Sequence, residues 1–122
     1  MCSDLRHVNA VNSVDFNKRA DFIASCDADG MIKVWDVRKV AEVGSIEAGE
    51  HPLNHVSFDL SGNLVMAASD DSTIKVASIL DMQLKTSVQG HDDAVQSIAM
   101  DASGKYMASA SSDCTLRIWN AA

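Results

Sequence analysis

The chain has 122 residues, 47% of them apolar, which is enough for one ordinary domain with a modest core and too apolar for a disordered segment. Ten basic against seventeen acidic residues give a formal net charge of −7; this argues against nucleic acid and anionic membrane as partners, since both select a basic face, and its plainest consequence is a soluble surface. No apolar run approaches the roughly 20 residues of a membrane helix, the opening MCSDLRHVNA lacks the basic and apolar regions of a signal peptide, and Pro52 is the single proline, with no Gly/Ser-rich linker to mark a boundary.

Along the chain the local period is two. VNSVDF at 11–16 predicts a strand, NKRAD a turn, 21–26 a second strand, DADG a turn, and 31–36 within MIKVWDV a third strand. A fourth strand is predicted around 42–47. The same order then returns twice, through the turns LSGN and SDDS to TIKVAS at 73–78, with a fourth strand around 83–89, and through ASGK and SSDC to TLRIWN at 115–120. Trp35 and Trp119 lie 84 residues apart, as do His7 and His91, Ser25 and Ser109, and Asp29 and Asp113. The midpoints continue the pattern: Asp71 falls between the aspartates, Phe16 and Phe58 precede Met100, and Val11, Leu53 and Val95 match. So do Val14, Val56 and Ile98, then Ile32, Ile74 and Leu116, then Val34, Val76 and Ile118. Lys33, Lys75 and Arg117 hold what the alternation makes a solvent-side position. A period of ~40–45 residues with four strands and a Trp-Asp ending describes a propeller blade. The expected fold is all-β: three consecutive blades at 7–48, 49–90 and 91–122, the third without a fourth strand of its own.

Two polar sets stand in register, His7, Ser25, Asp29, Trp35 and His91, Ser109, Asp113, Trp119. Serine, histidine and aspartate together suggest a nucleophilic triad. A triad is needed once, however, and no Gly-x-Ser-x-Gly turn presents either hydroxyl. A structural reading explains both copies: indole N–H, hydroxyl, imidazole and carboxylate form a connected donor and acceptor chain that ties loop to strand. The middle unit departs from the pattern, with Ala67 for the serine, Ala77 for the tryptophan, Gly49 in the histidine's register and only Asp71 kept. That blade is expected to lack the network and to be the softest of the three.

Gly90-His91, Trp35-Asp36 and the turn aspartates resemble the hallmark positions of the WD-repeat family, and the resemblance covers the whole chain. It implies a propeller that scaffolds protein–protein interactions, with no catalytic residues, metal or cofactor. Rings close with about four to eight blades, so three leave two apolar faces open. The family's last blade commonly ends after its third strand, so the WNAA ending matches a natural terminus while the start looks cut. The expectation is a C-terminal piece of a larger propeller, with a self-assembling short chain as the other possibility. IASCDADG at 23–30, WDVRK at 35–39, the stretch at 51–62 and the GH-x-D-x-VQ segment at 90–96 look like the C-terminal repeats of the central-pair bridge WD-repeat proteins of motile cilia and flagella, the sperm-associated antigen type. That likeness implies a structural role in the axoneme, with central-apparatus or microtubule-associated partners. A generic cytoplasmic adaptor, a substrate receptor or trafficking scaffold, shares the same hallmarks.

Loops carry binding on a rigid β scaffold. The His loops and second-to-third-strand turns collect Asn9, Asp27, Asp70, Asp92 and Asp93, a face suited to a basic partner segment. Turn chemistry alone also favours aspartate there, and DADG at 27–30 is too short for a calcium loop. Cys2, Cys26 and Cys114 fit no zinc pattern or disulfide framework, which points to a reducing compartment. Cys26 reads as a small core residue, Cys114 as an exposed turn thiol, and His55 as a surface residue.

Overall fold

In the computed structural model, which describes residues 4–120, each alternating segment becomes a strand and no helix forms among the described residues. The strands are β1 (Val11–Phe16), β2 (Phe22–Asp27), β3 (Met31–Asp36), β4 (Ala41–Glu47), β5 (Leu53–Phe58), β6 (Leu64–Ser69), β7 (Ile74–Ser78), β8 (Gln83–Val88), β9 (Val95–Met100), β10 (Tyr106–Ser111) and β11 (Leu116–Asn120). They form three antiparallel meanders, β1-β2-β3-β4, β5-β6-β7-β8 and the three-stranded β9-β10-β11. The predicted strands are displaced by at most one or two residues, as expected for boundaries that depend on turn detail.

Turns recur with the blades. Asn17 Oδ1 accepts the amides of Asp21 and Phe22 at 3.1 and 3.2 Å, Asp59 Oδ1 accepts those of Gly62 and Leu64 at 3.0 and 3.1 Å, and Asp101 Oδ1 accepts that of Tyr106 at 3.0 Å. These side chains hold the first hairpin of each blade closed. Between the second and third strands the turn ends on a positive φ, at Gly30, Ser72 and Cys114. Gly30 has a second requirement: a Cβ there would stand 2.4 Å from the carbonyl oxygen of Gly49.

The blades meet through a device placed in the innermost strands. Pairing of β1 with β2 skips at Asn12, of β5 with β6 at Asn54, and of β9 with β10 at Gln96. A bulge re-aims a side chain, and here it sends the amide toward the next blade. Asn12 Nδ2 donates to Leu53 O at 2.8 Å, and Asn54 Nδ2 donates to Val95 O at 2.9 Å. Gln96 instead donates to Ser112 Oγ of its own blade at 2.8 Å. Further bonds cross the joints, from Val56 N to Ser13 Oγ and from Phe58 N to Asp15 Oδ2. His55, expected at the surface, is half-buried, and its Nδ1 accepts Ile98 N at 3.4 Å across the second joint.

The core lies in these joints. Ala24, Cys26, Ile32 and Ile46 of the first blade pack with Leu53, Val56, Phe58, Val65, Ala67 and Ala77 of the second. Met66, Ala68 and Ile74 of the second pack with Val95, Ile98 and Met107 of the third. Cys26 is the core residue expected. Burial, and then the Asp27 charge beside it, push its thiol up to about 12, so it stays protonated and unreactive. Cys26 and exposed Cys114 are both free; Cys2 lies outside the described residues.

The second blade therefore has both faces covered, whereas the first and third each have one. Packing density of this kind sets local stability, and it opposes the expectation that the missing tetrad makes this blade the softest. Hydrogen exchange followed by mass spectrometry should find β6 and β7 the slowest-exchanging strands and β1 and β11 among the fastest. Exchange of β6 and β7 ahead of β2 and β10 would show that the lost network outweighs the packing.

Candidate functional site

All three blades fold their connecting loops to the same end. Ala28 N donates to Ala10 O at 3.0 Å, Asp70 N to Pro52 O at 2.9 Å, and Ser112 N to Ala94 O at 2.9 Å, bonds that recur at the repeat spacing and pin each incoming loop to the turn between its second and third strands. Beneath this end lie the polar networks.

In the third blade the tetrad is as predicted. Trp119 Nε1 donates to Ser109 Oγ at 2.8 Å, the hydroxyl is 2.7 Å from His91 Nε2, and His91 Nδ1 is 3.0 Å from Asp113 Oδ2. A consistent proton order runs from indole to hydroxyl to imidazole to carboxylate. The rings of His91 and Trp119 meet edge to face, with centroids 6.3 Å apart. Gly90 is needed here because a Cβ would stand 2.5 Å from the Trp119 ring. The Thr115 hydroxyl, with backbone amides of Asp92 and Thr115 and the His91 ring, holds the Asp113 carboxyl well below the usual range.

The first blade uses a different aspartate. Trp35 Nε1 donates to Ser25 Oγ at 2.8 Å and the hydroxyl is 2.5 Å from His7 Nε2, but His7 Nδ1 lies 2.6 Å from Asp27 Oδ2. Asp27 is buried and its Oδ1 accepts the amides of Asp29 and Met31 at 2.9 and 3.0 Å. Asp29, assigned to the tetrad by register, is exposed and accepts Asn9 Nδ2 at 2.9 Å. The two assignments are thus exchanged: Asp27 is architectural and Asp29 belongs to the surface. The cause is two substitutions within the turn. Asp71 and Asp113 each accept a threonine hydroxyl, Thr73 or Thr115, at 2.5 Å, and Met31 occupies that place in the first blade. Asp27 in turn stands where Ser69 and Ser111 stand in the others. The pairing of Asp27 with Met31 was the readable signal.

The middle blade has a substitute for the tetrad. Lys75, read as solvent-side, is buried, and its Nζ lies 2.7 Å from Asp71 Oδ2 and 3.2 Å from Ser87 Oγ. Gly49, in the register of the two histidines, leaves room for it: a Cβ there would be 3.7 Å from Lys75 Nζ. The ammonium thus takes the imidazole's role as donor to the turn aspartate. Burial would raise the Asp71 carboxyl, but the Lys75 ammonium, the Thr73 and Ser69 hydroxyls and the Thr73 amide outweigh it and hold it at about 2. No buried side-chain polar atom among the described residues lacks a partner.

The Ser-His-Asp order suggests nucleophilic chemistry, but Ser25 and Ser109 are buried between an indole and an imidazole and do not face a cleft. No group of three or more potential metal ligands occurs among the described residues. The candidate interaction face is the loop end itself. Asn9, Asp70, Asp92 and Asp93 are exposed there, as predicted from the turns. Asp29 joins them in place of Asp27, and Glu50, in register with Asp92, was missed. Asp70 accepts Asn54 Nδ2 at 2.7 Å and Asp93 accepts Ala94 N at 2.7 Å, so both carboxylates are held in place.

The family model of the WD domain, the G-beta repeat, matches residues 3–36, 42–77 and 82–120. The chain belongs to the WD-repeat family, whose repeats generally mediate protein–protein interactions. No curated protein matches the chain significantly.

Asp27→Ala strands the His7 ring and two backbone amides and should cost about 2–4 kcal/mol, whereas Asp29→Ala should fall within ~0.5 kcal/mol; urea denaturation of the two variants tests the exchange of roles. A second expectation concerns acid. The Asp71 carboxyl is lower in the folded chain, at about 2, than its ordinary 3.8, so its contribution is complete above the higher value and is lost as pH falls through the lower. Melting temperatures measured from about pH 4 to about pH 2 should fall less steeply in Asp71→Asn than in the wild type. Equal slopes would remove Asp71 from the acid limb.

Proposed function

We propose that this chain is a non-catalytic scaffold that receives a basic segment of a protein partner on its loop end. The observation that carries this reading is the set of exposed carboxylates there, Asp29, Glu50, Asp70, Asp92 and Asp93, of which Asp29, Asp70 and Asp93 are held by hydrogen bonds at the surface. Complementary charge steers encounter and selects partners more than it adds affinity. The wording of the repeats, which resembles the central-pair bridge proteins of motile cilia, supports placing the scaffold in the cytoplasm of ciliated cells, as a structural component of the axoneme needed for motility.

Two measurements test this. A lysine-rich peptide should bind the wild-type chain with an affinity that falls as salt rises, and Asp70→Lys/Asp92→Lys/Asp93→Lys should abolish that binding while the circular dichroism spectrum is unchanged. Binding that survives the triple reversal would overturn the acidic face. In ciliated cells the tagged chain should remain with detergent-extracted axonemes. Complete release into the soluble fraction would favour a cytoplasmic adaptor instead.

A further inference from the structure

The two ends of the blades differ in charge. Four of the ten basic residues, Lys18, Arg19, Arg38 and Lys39, stand in the two turns that the first blade sends to the end opposite the acidic loops. Val37 N, donating to Asp21 O at 3.0 Å, ties these turns together. All four side chains are exposed, and none makes an ion pair among the described residues. The carboxylates at this end of the first two blades are engaged. Asp21 Oδ1 accepts Asn17 Nδ2 at 2.6 Å, Asp36 Oδ1 accepts Lys39 N at 3.0 Å, Asp59 Oδ2 accepts the Ser61 hydroxyl at 2.8 Å, and Asp81 pairs with Lys85.

This basic corner borders a cleft. Where the first joint reaches the same end, Phe22 and Val34 of the first blade and Ile79 and Met82 of the second line a cavity of about 690 Å³. Lys18 and Arg19 stand on the first blade's rim of it, Leu60 and Leu80 on the second's. The repeat pairs the two rims: Leu60 holds the position of Lys18, and Leu80 that of Arg38. Neither leucine belongs to the core between the blades, and they are 44% and 78% exposed. Both walls belong to blades already packed on one another, so a blade stacked beyond the first would lie against its other face. The cleft is a property of the internal joint.

We infer that this cleft is a second interaction site, which takes a protein segment carrying acidic residues beside one or two bulky apolar side chains. The inference goes beyond the acidic loop end and is independent of it. The apolar side chains would fill the cavity against Phe22 and Met82, with the carboxylates of the segment over Lys18 and Arg19. The volume falls within the roughly 300–1,000 Å³ of sites that enclose a ligand. Apolar surface removed from water there supplies affinity, while charge sets orientation and partner choice. Nucleic acid would match the cations but brings no aliphatic side chain to the leucine rim, and a net charge of −7 opposes a polyanion. A protein segment satisfies both halves. The chain would then hold partners of opposite charge at its two ends, as a scaffold bridging two proteins must.

The test is selection of a displayed random-peptide library on the 122-residue chain, followed by fluorescence anisotropy of the enriched peptides. Peptides that set Asp or Glu beside Leu, Ile or Phe are expected, with affinity that falls as salt rises. Lys18→Glu/Arg19→Glu and, separately, Leu80→Asp should each weaken the best peptide by about tenfold or more, since each sets a carboxylate against one half of the segment. These side chains are exposed, so the melting temperature should not move. Lys105→Glu, a charge reversal at this end of the third blade and outside the cleft, should leave the affinity unchanged. Asp70→Lys/Asp92→Lys/Asp93→Lys at the loop end should not weaken it either, so the two sites can fail separately. A library that yields no acidic-apolar peptide, a best peptide indifferent to Leu80→Asp, a loss as large with Lys105→Glu, or a single-stranded oligonucleotide bound as tightly as the best peptide would overturn the site.

Discussion

A sheet with apolar residues on both faces cannot lie in water on either without loss, and every other feature of this chain depends on that constraint. Two such sheets stacked face to face cover one side of each and leave one side of each uncovered. Stacking is therefore open-ended, and a blade's burial depends on its place in the stack more than on its own residues. Ile32, Ile74 and Leu116 hold one position of the repeat, and the first two are buried while the third is exposed. The hydrophobic stabilisation, about 25 cal/mol for each Å² of apolar surface removed from water, is thus earned by the joints and not by the blades singly. The bulged amides matter for the same reason: apolar packing between two flat faces can slide, whereas Asn12 on Leu53 O and Asn54 on Val95 O fix the register of one blade on the next.

The polar networks solve a second problem, which is to hold long loops against the end of a thin sheet without leaving buried donors unmet. Each blade needs one carboxylate in its turn and one cationic or dipolar donor beneath it. The first and third blades use imidazole, braced by serine and tryptophan. The middle blade uses the Lys75 ammonium on Asp71, with Ala67 and Ala77 where the braces would be. Small residues at these two places let the inter-blade core pass through uninterrupted, and Ala48 enters the same cluster. The tryptophan of the third blade instead requires Gly90, where a Cβ would meet the ring. Loss of the tetrad is therefore a coordinated change of several residues.

Strand order and blade boundaries were legible because alternation, turn composition and a fixed 42-residue spacing all agree, and each depends only on local chemistry. The third-blade tetrad was legible for the same reason. What escaped the sequence is whatever depends on a neighbour. Lys75 matches Lys33 and Arg117 in type and position, and only the missing histidine side chain at Gly49 turns it inward. His55 has no counterpart of its kind in the repeat, and its burial comes from the third blade packing over it. The exchange of Asp27 with Asp29 lies between these cases. Register pointed to Asp29, yet the loss of a threonine at Met31 was visible and carried the physical reason for the change.

That exchange also explains the composition of the loop end. A network consumes one turn carboxylate per blade: Asp27, Asp71 and Asp113. Any further aspartate in the turn has no buried donor to satisfy and stays in water. Asp29 is the surplus residue of the first blade and Asp70 of the second, while Asp92 and Asp93 extend the third from its incoming loop. The network carboxylates are fixed by hydrogen bonding and cannot vary without loss of stability. The surplus ones differ in position from blade to blade, so they give each blade its own charge pattern at one end of an otherwise repeated scaffold. In the first two blades the network carboxylate and the exposed one lie within two residues of each other, and the hydrogen bonds of the turn decide which aspartate is fixed.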